Sequence, residues 1–245
     1  MSGSARVAVV GDIHVGATPY PVVARLATAV RAEAPDLVLV TGDLFDRSDG
    51  TDGALACAQQ VLDSWSDAGA DVIAIGGNHD AESALPARLR LPVRMRWLRA
   101  DAPETVVLPR LGIAVHGVSV AEPEDHRMPQ ATFPAPVPGM VNIALLHTSL
   151  HGEWSKRACL PTPLEELRAD IRYDVWALGH VHERMVLSEE PLIFYPGSSH
   201  ARHAQENGPR GFSVVEIGPG TAPRLRHVDL EPSEELLVNQ EKMWT

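Results

Sequence analysis

Five apolar runs of four residues, each followed at once by polar residues, dominate the hydrophobic pattern of the chain. The runs are Val7–Val10, Leu37–Val40, Val72–Ile75, Ile143–Leu146 and Val175–Leu178. Unbroken apolar runs of this length are typical of strands that are buried on both faces. Apolar residues at helical spacing in residues 19–34 and 53–68 predict two helices between the first three runs. The order strand, helix, strand, helix, strand indicates parallel strands joined by crossover helices.

After residue 104 the pattern changes to short strand-like runs. The predicted strands are residues 105–108, 113–118, 192–195, 212–217 and 225–230, and one short helix is predicted between residues 163 and 169. A chain of 245 residues fits one large domain. We predict a single α/β domain over residues 1–245 in which two sheets face each other with helices outside. Its core covers residues 5–218, and residues 219–245 add a strand and a short helix.

Each of the five apolar runs ends in residues of the kinds that bind metal ions. The candidates are Asp12, His14, Asp43, Asn78, His147, His180 and His182. We expect these side chains to meet, because open α/β sheets place their ligands at the carboxyl ends of the strands. The spacing Asp-x-His and His-x-His also places two side chains on the same side of an extended segment. The sequence therefore predicts a shared metal centre at one edge of the sheets.

The mixture of oxygen and nitrogen donors predicts the kind of ion. Carboxylate, amide and imidazole ligands suit manganese, iron or zinc better than calcium. Asp43 is the natural bridge between two ions, because a carboxylate has two oxygens. Two ions roughly 3.5–4 Å apart bind a phosphoryl group and generate a hydroxide nucleophile at neutral pH. We therefore predict two divalent ions, with Mn²⁺ favoured over Fe or Zn, and hydrolysis of a phosphoester.

His79 follows the candidate ligand Asn78 directly and is not needed as a ligand. An imidazole in this place can protonate a leaving alkoxide as a general acid. The neighbouring Asp80 is the predicted partner that orients the ring of His79. Asp46 is either a residue that orients a ligand or a simple carboxylate in a turn.

The five polar clusters, in this order, resemble the calcineurin-like metallophosphoesterase superfamily. Residues 173–182, 194–198 and 206–212 resemble its bacterial DNA-repair exonuclease branch, the SbcD and YhaO types. The resemblance implies a metallophosphoesterase-type β-sandwich of two mixed sheets flanked by helices. It also implies one ion on Asp12, His14, Asp43 and His182, and a second ion on Asp43, Asn78, His147 and His180. His79 would be the catalytic acid or a histidine that stabilises the phosphate.

The resemblance implies a two-metal exonuclease that attacks DNA ends or single-stranded DNA with a hydroxide held between the ions. Full-length members usually continue into a capping or DNA-binding domain and a segment that docks on an SMC-like ATPase. The short segment after Ile217 leaves no room for a cap, so DNA specificity and an ATPase partner both stay open. The alternative is a phosphodiesterase of the same chemistry for nucleotides or cyclic nucleotides. A non-catalytic scaffold is disfavoured, because every ligand and His79 are present.

Basic residues close to the clusters are candidate contacts to the substrate. The net charge of -11 argues against a generally nucleic-acid-binding surface. Arg90, Arg94 and Arg96 nevertheless lie in a basic stretch just after Asp80, where they could follow a nucleic-acid backbone. The alternative is a solvated face whose arginines pair with carboxylates. His200 and Arg202 could contact a substrate phosphate, or could belong to a solvated loop.

The cysteine content and the apolar runs indicate the cellular setting. Cys57 and Cys159 are the only cysteines and form no pair motif, which favours a reduced, cytoplasmic environment. No apolar run is long enough to span a bilayer. The first residues lack the apolar core of a signal peptide. We therefore expect a cytoplasmic protein that does not contact a membrane.

Overall fold

Two stacked sheets form the frame of the protein in this computed structural model. The structure describes residues 4–47, 50–151, 158–202, 206–218 and 220–230. In these ranges the strands are β1 (Ala5–Val10), β2 (Leu37–Val40), β3 (Asp71–Ala74), β4 (Met95–Trp97), β5 (Glu104–Leu108), β6 (Ile113–Val118), β7 (Val141–His147), β8 (Val175–Gly179), β9 (Met185–Glu189), β10 (Leu192–Tyr195), β11 (Gly211–Ile217) and β12 (Arg224–Asp229). The helices are α1 (Tyr20–Ala32), α2 (Asp52–Asp67), α3 (Asn78–Glu82) and α4 (Leu164–Ala169).

The first sheet has the strand order β12-β11-β1-β2-β3-β4. Strands β1 to β4 run parallel, whereas β11 and β12 are antiparallel to their neighbours. Val10 pairs with Val40, and Val40 pairs with Ala74, so β1, β2 and β3 end level with one another. The polar residues that follow these three strands therefore start from one edge.

The second sheet has the order β5-β6-β7-β8-β10-β9. Its four inner strands run parallel, and the edge strands β5 and β9 are antiparallel. His147, the last residue of β7, pairs with Gly179 at the end of β8. A bridge between Gly11 and Ser198 joins the segments that follow β1 and β10. The carboxyl ends of the parallel strands of both sheets thus meet on the same side, and both sheets are mixed, as predicted.

Alternation of side chains along each strand explains why the apolar runs are unbroken. Val7, Val9, Leu37, Leu39 and Ile73 pack against the second sheet. The residues between them pack against α1 and α2, which cover the outer face of the first sheet. Burial on both faces favours apolar residues throughout each run, so polar residues first appear where the run ends. The predicted fold class is confirmed on this point.

Two strands differ from the sequence-based expectation. The edge strand β4 is one of them, because the sequence pattern predicts no strand between residues 75 and 105. The edge strand β9 was not predicted, because its apolar run is only three residues long and its side chains are exposed or half-buried. The predicted tail supplies β12, while residue 219 and residues 231–245 lie outside the described part, so its short helix stays a prediction. Among the described residues, no helix is both long and apolar enough to cross a membrane.

Candidate metal centre

The loops that carry the candidate ligands have an unusual backbone conformation. Asp12, His14, Asp43 and His180 have φ angles of 49°, 48°, 51° and 98°. This left-handed region is uncommon for residues with a side chain, and it concentrates at functional sites. The amide of Asp12 donates to the carbonyl of Gly42 over 3.1 Å, and that of His14 donates to the carbonyl of Asp43 over 3.0 Å. Neighbouring loops thus hold each other in the strained shape.

Glycine allows these loops to approach each other closely. A Cβ atom at Gly179 would lie 1.9 Å from the carbonyl oxygen of Thr41, and one at Gly77 would lie 2.2 Å from Oδ1 of Asp43. No side chain fits at such distances. The sequence places glycine next to several clusters because a larger residue would push the ligand loops apart.

The structure brings the candidate ligands together in two groups that share Asp43. In the first group, Nε2 of His14 lies 3.2 Å from Nε2 of His182 and 3.6 Å from Oδ2 of Asp43. Oδ1 of Asp12 lies 3.9 Å from Nε2 of His182.

In the second group, Nε2 of His147 lies 3.5 Å from Oδ2 of Asp43 and 3.2 Å from Oδ1 of Asn78. Nδ1 of His180 lies 3.0 Å from the same Asn78 oxygen.

These distances fit a pair of cations. Electron-donating atoms converge within each group, including two imidazole nitrogens that face each other and an amide oxygen that faces two imidazoles. Without a cation or added protons, their lone pairs would repel each other. Asp12, Asp43, His14 and His147 are all at most 2% exposed, so water cannot relieve this repulsion. The donor set therefore suits divalent transition metals.

The buried charges perturb one another strongly. Burial would raise the pKa of Asp43, but His147 and His14 attract its negative charge and lower the pKa instead. Burial would lower the pKa of His147, yet Asp43 raises it to about 9.

Burial and the neighbouring His147 lower the pKa of His180 to about 3. Burial raises the pKa of Asp12 despite the attraction of His182. In this balance, cations can replace the protons that hold the carboxylates and imidazoles together.

Two acceptors behind the candidate ligands fix the orientation of their rings. Nδ1 of His147 donates to the carbonyl oxygen of Thr41 over 2.8 Å, which leaves Nε2 to face Asp43. Nδ1 of His182 donates to Oε1 of Glu206 over 2.8 Å, which leaves Nε2 to face His14. Such partners commonly set the tautomer of a ligating histidine. Sequence analysis missed the role of Glu206, which lies 24 residues from His182 and follows no apolar run.

Replacing Glu206 with glutamine should weaken manganese binding by roughly 10- to 100-fold. The amide keeps an acceptor oxygen for Nδ1 of His182 but loses the negative charge that makes the ring a better ligand. The dissociation constant is measured by titrating metal-free protein with manganese. Glu165→Gln on the exposed face of α4 is the matched control and should bind like the wild type. Equal affinities for Glu206→Gln and the wild type would show that His182 needs no charged partner.

His79 takes its orientation from Asp46, and this corrects the prediction for Asp80. Nδ1 of His79 donates to Oδ1 of Asp46 over 2.9 Å, and Nη2 of Arg202 donates to the same oxygen over 2.9 Å. Burial, together with His14 and Arg202, lowers the pKa of His79 to about 4. Oδ1 of Asp46 also lies 3.5 Å from Nδ1 of the candidate ligand His14, which favours the alternative that Asp46 orients a ligand over a simple carboxylate in a turn.

Asp80 instead holds two loops of the centre together. Its carboxylate accepts hydrogen bonds from the backbone amides of Gly77, Leu44 and Phe45 over 2.9, 3.1 and 2.9 Å. Burial and the nearby charge of Asp43 raise the pKa of Asp80 to about 7. The side chain therefore ties the loop after β3 to the loop after β2.

We expect Asp80→Ala to lower the free energy of unfolding of the metal-free protein by about 3 kcal/mol or more. Three buried amide donors would lose their acceptor, and each unsatisfied buried donor costs about 1–3 kcal/mol. Denaturant unfolding of the variant and the wild type measures the difference. The exposed Asp101→Ala serves as the control and should change stability little. A loss below about 1 kcal/mol for Asp80→Ala would show that water or a loop shift satisfies these donors.

The basic stretch after Asp80 lies along α2 and pairs with acidic residues. Arg90 lies 3.4 Å from Asp63, and Arg94 lies 3.3 Å from Asp71. Asp71 begins β3, so Arg94 sits at the end of the strand opposite to the metal centre. Arg96 is exposed on the edge strand β4. This geometry favours the alternative interpretation, in which the arginines belong to a solvated face.

The second pair of basic candidates lies closer to the centre. Arg202 contacts both Asp46 and His14, with Nη1 3.4 Å from Nε2 of His14. His200 is half-buried, and burial together with Arg210 and Arg25 lowers its pKa. Of these two residues, Arg202 is therefore the one that the structure brings to the centre.

The chain resembles curated proteins that are longer than the stretch they share with it. Residues 5–184 match the model of the calcineurin-like phosphoesterase family. The uncharacterised metallophosphoesterase YhaO of Bacillus subtilis is 29% identical over 196 residues, covering 78% of this chain and 48% of that protein. The DNA double-strand break repair protein Mre11 of Methanopyrus kandleri is 26% identical over 270 residues, covering 95% of this chain and 58% of that protein. The chain thus spans about half the length of these relatives.

Solved structures show the same fold at low sequence identity. The protein TT1561 of Thermus thermophilus has a TM-score of 0.56 at 11% identity, with 93% of this chain and 99% of that one covered. A dimetal phosphatase from Danio rerio has a TM-score of 0.53 at 11% identity, with 90% and 98% covered. Since the family model spans most of the chain and the convergent donors suit two divalent ions, the protein belongs to the calcineurin-like phosphoesterase family of metal-dependent hydrolases with a binuclear centre.

Proposed function

We propose that this protein is a phosphodiesterase of the DNA-repair exonuclease type, which hydrolyses phosphodiester bonds at DNA ends or in single strands. The observation that carries the proposal is the pair His79–Asp46 beside two donor groups that share Asp43. Cleavage of a DNA strand expels an alkoxide, which is a poor leaving group and needs a proton. A histidine held by a carboxylate beside the metal centre can supply that proton.

In the proposed reaction, the residues of the centre have separate roles. When bound, two divalent ions would neutralise charge on the phosphoryl oxygens and lower the pKa of the attacking water. Asp43 holds the two donor groups at a fixed separation, while Thr41 and Glu206 keep the rings of two ligands in place. Asp46 fixes Nδ1 of His79, so that Nε2 can carry the transferred proton. The negative charge of an arriving diester raises the pKa of His79 and favours the protonated ring.

The similarity to proteins named for DNA double-strand break repair supports DNA as the substrate. The net charge of -11 and the ion-paired arginines beside α2 favour the alternative, a nucleotide or cyclic nucleotide substrate. Both alternatives use the same centre and the same proton donor. An SMC-like ATPase partner and a cytoplasmic location remain predictions from sequence.

A comparison of substrates tests the proposal. Protein reconstituted with manganese, iron or zinc is given labelled linear single-stranded DNA, linear duplex DNA and circular single-stranded DNA. Bis-p-nitrophenyl phosphate and a cyclic nucleotide are assayed in parallel. We expect the linear strands to be degraded and the circle to survive, since an exonuclease needs an end. Turnover of the small diesters without any DNA degradation would favour the alternative. Full metal content with no turnover of any substrate would favour a scaffold.

Replacing Arg90, Arg94 and Arg96 together with glutamine should leave DNA binding close to that of the wild type. Arg90 and Arg94 are already paired with carboxylates, and the stretch runs away from the centre along α2. Fluorescence anisotropy over a series of salt concentrations measures affinity and its salt dependence. A salt slope reduced by about one unit per substituted arginine would contradict this expectation, because it would identify phosphate contacts.

A further inference from the structure

Arg202 brings a guanidinium group to the metal centre from a loop that carries none of the candidate ligands. The loop follows β10, and the bridge between Gly11 and Ser198 holds it against the end of β1. Nη2 of Arg202 donates to Oδ1 of Asp46, while Nη1 lies 3.4 Å from Nε2 of His14. The side chain is 17% exposed, so it is largely shielded from water yet open to a ligand.

We propose that Arg202 binds a nonbridging oxygen of the phosphate that is cleaved and so helps to place the substrate beside His79. This inference rests on the proposed phosphodiesterase function and adds a substrate-binding residue to it. The residue acts on the phosphate common to all diesters, so DNA and small nucleotides are bound in the same way at this point.

Nη1 of Arg202 lacks an acceptor once a cation occupies the first donor group, while Nη2 keeps its bond to Asp46. Nε2 of His14 faces the other donors of that group, and an ion bound there would take the lone pair toward which Nη1 now points. Nε of Arg202 is buried and has no hydrogen-bond acceptor among the described residues. The side chain would then present the unsatisfied N–H of Nη1 beside the first donor group. A phosphate oxygen is the acceptor that matches this position.

The guanidinium group is also held in place before any substrate arrives. Nη2 is fixed by Asp46, and the backbone amide of Arg202 donates to Oε2 of Glu206 over 2.9 Å. The other oxygen of Glu206 accepts from His182, so the loop is tied to a candidate metal ligand. Binding through a side chain that is already ordered costs little conformational entropy. A role in holding Asp46 alone would not explain why Nη1 points at the centre.

Electrostatics leads to the same assignment. Two divalent ions would bring four positive charges against the two carboxylates of Asp12 and Asp43, while Asp46 and Glu206 are the described carboxylates that contact Arg202. A cationic side chain beside a centre with excess positive charge is repelled unless an anion lies between them. A phosphate supplies that anion.

Inorganic phosphate is the probe that tests this inference without turnover. Manganese-loaded wild type, Arg202→Gln, Arg202→Lys and the control Arg90→Gln are titrated with phosphate by calorimetry. Broadening of the phosphate ³¹P signal by bound manganese reports proximity independently. We expect Arg202→Gln to weaken phosphate binding by roughly 10- to 100-fold at unchanged manganese content. Arg202→Lys should lie between, because an ammonium keeps the charge but cannot bind Asp46 and phosphate with one planar group.

Each other outcome counts against the inference. Wild-type phosphate affinity in Arg202→Gln with slow turnover would show that the residue acts only through Asp46 on His79. Loss of manganese from Arg202→Gln would show that the residue supports His14 instead. A manganese-loaded wild type that binds no phosphate would also overturn it. If the wild type binds phosphate through Arg202 but hydrolyses no diester, the proposed function fails while this assignment stands.

Discussion

Asp43→Asn should reduce the manganese content from two ions per chain to one or fewer, and it should lower turnover of bis-p-nitrophenyl phosphate at least about 10³-fold. Asp43 belongs to both donor groups, and its charge holds His14 and His147 in place. Two-metal stabilisation of a phosphoryl group is worth several kcal/mol, and each 1.36 kcal/mol is tenfold in rate. Metal analysis after reconstitution and steady-state kinetics measure the two effects.

A control separates loss of metal from loss of fold. Asp63 lies on α2, away from the centre, and its carboxylate pairs with Arg90. Asp63→Asn should therefore keep two ions and full turnover. Manganese should also raise the melting temperature of the wild type, since it binds the folded state. The same addition should raise that of Asp43→Asn much less. Two bound ions with wild-type turnover in Asp43→Asn would show that Asp43 does not bridge the donor groups.

The position of the centre could be predicted from sequence because the constraint is local. In β1, β2, β3, β7 and β8 an unbroken apolar run leads to the end of the strand, so the first polar side chains after these runs mark the edge of the sheets. Parallel pairing then brings those ends level, as for Val10, Val40 and Ala74. Both steps follow from the hydrophobic pattern and from the order of strands and helices along the chain.

The partner of His79 could not be predicted in this way. His79 and Asp80 are neighbours in the short helix α3, and successive side chains on a helix point in directions about 100° apart. Asp80 therefore turns toward the backbone amides of Leu44 and Phe45, away from the ring of His79. Asp46 reaches the ring from a different loop. Proximity in sequence therefore predicted correctly that a carboxylate orients His79, but it pointed to Asp80 and not to Asp46.

Contacts between residues that are distant in the sequence also decide the roles of the arginine stretch and of Glu206. The chain shows a dense run of positive charge after Asp80, but the carboxylates that pair with Arg90 and Arg94 come from α2 and β3, more than twenty residues earlier. Charge density along the sequence therefore overstated the positive field near the centre. Glu206 is the opposite case: it is far from every candidate ligand in the sequence, yet in the structure its carboxylate accepts a hydrogen bond from His182. Tertiary contacts decide which charged residues belong to the centre.

His79→Ala should keep both ions while lowering the rate of DNA cleavage by roughly 10²–10⁴-fold, the usual contribution of a general acid. His79 contacts Asp46 through Nδ1 and is not among the atoms that converge in the two donor groups. The loss should depend on the leaving group. An alkoxide needs the proton and should be affected strongly, whereas p-nitrophenolate leaves readily and should be affected little. A series of small diesters with leaving groups of rising pKa measures this dependence, and metal analysis confirms the ions.

The design distinguishes an acid from a phosphate contact, because only an acid interacts with the leaving oxygen. In the wild type the rate should fall slowly as the pKa of the leaving group rises, and in His79→Ala it should fall steeply. Asp46→Asn should show an intermediate slope, since the ring stays but loses the carboxylate that orients it. His126→Ala, on the exposed surface, is the matched control and should follow the wild type.

Equal losses for every leaving group would exclude proton transfer and leave His79 as a residue that stabilises the phosphate. An unchanged rate at full metal content would place His79 outside the reaction.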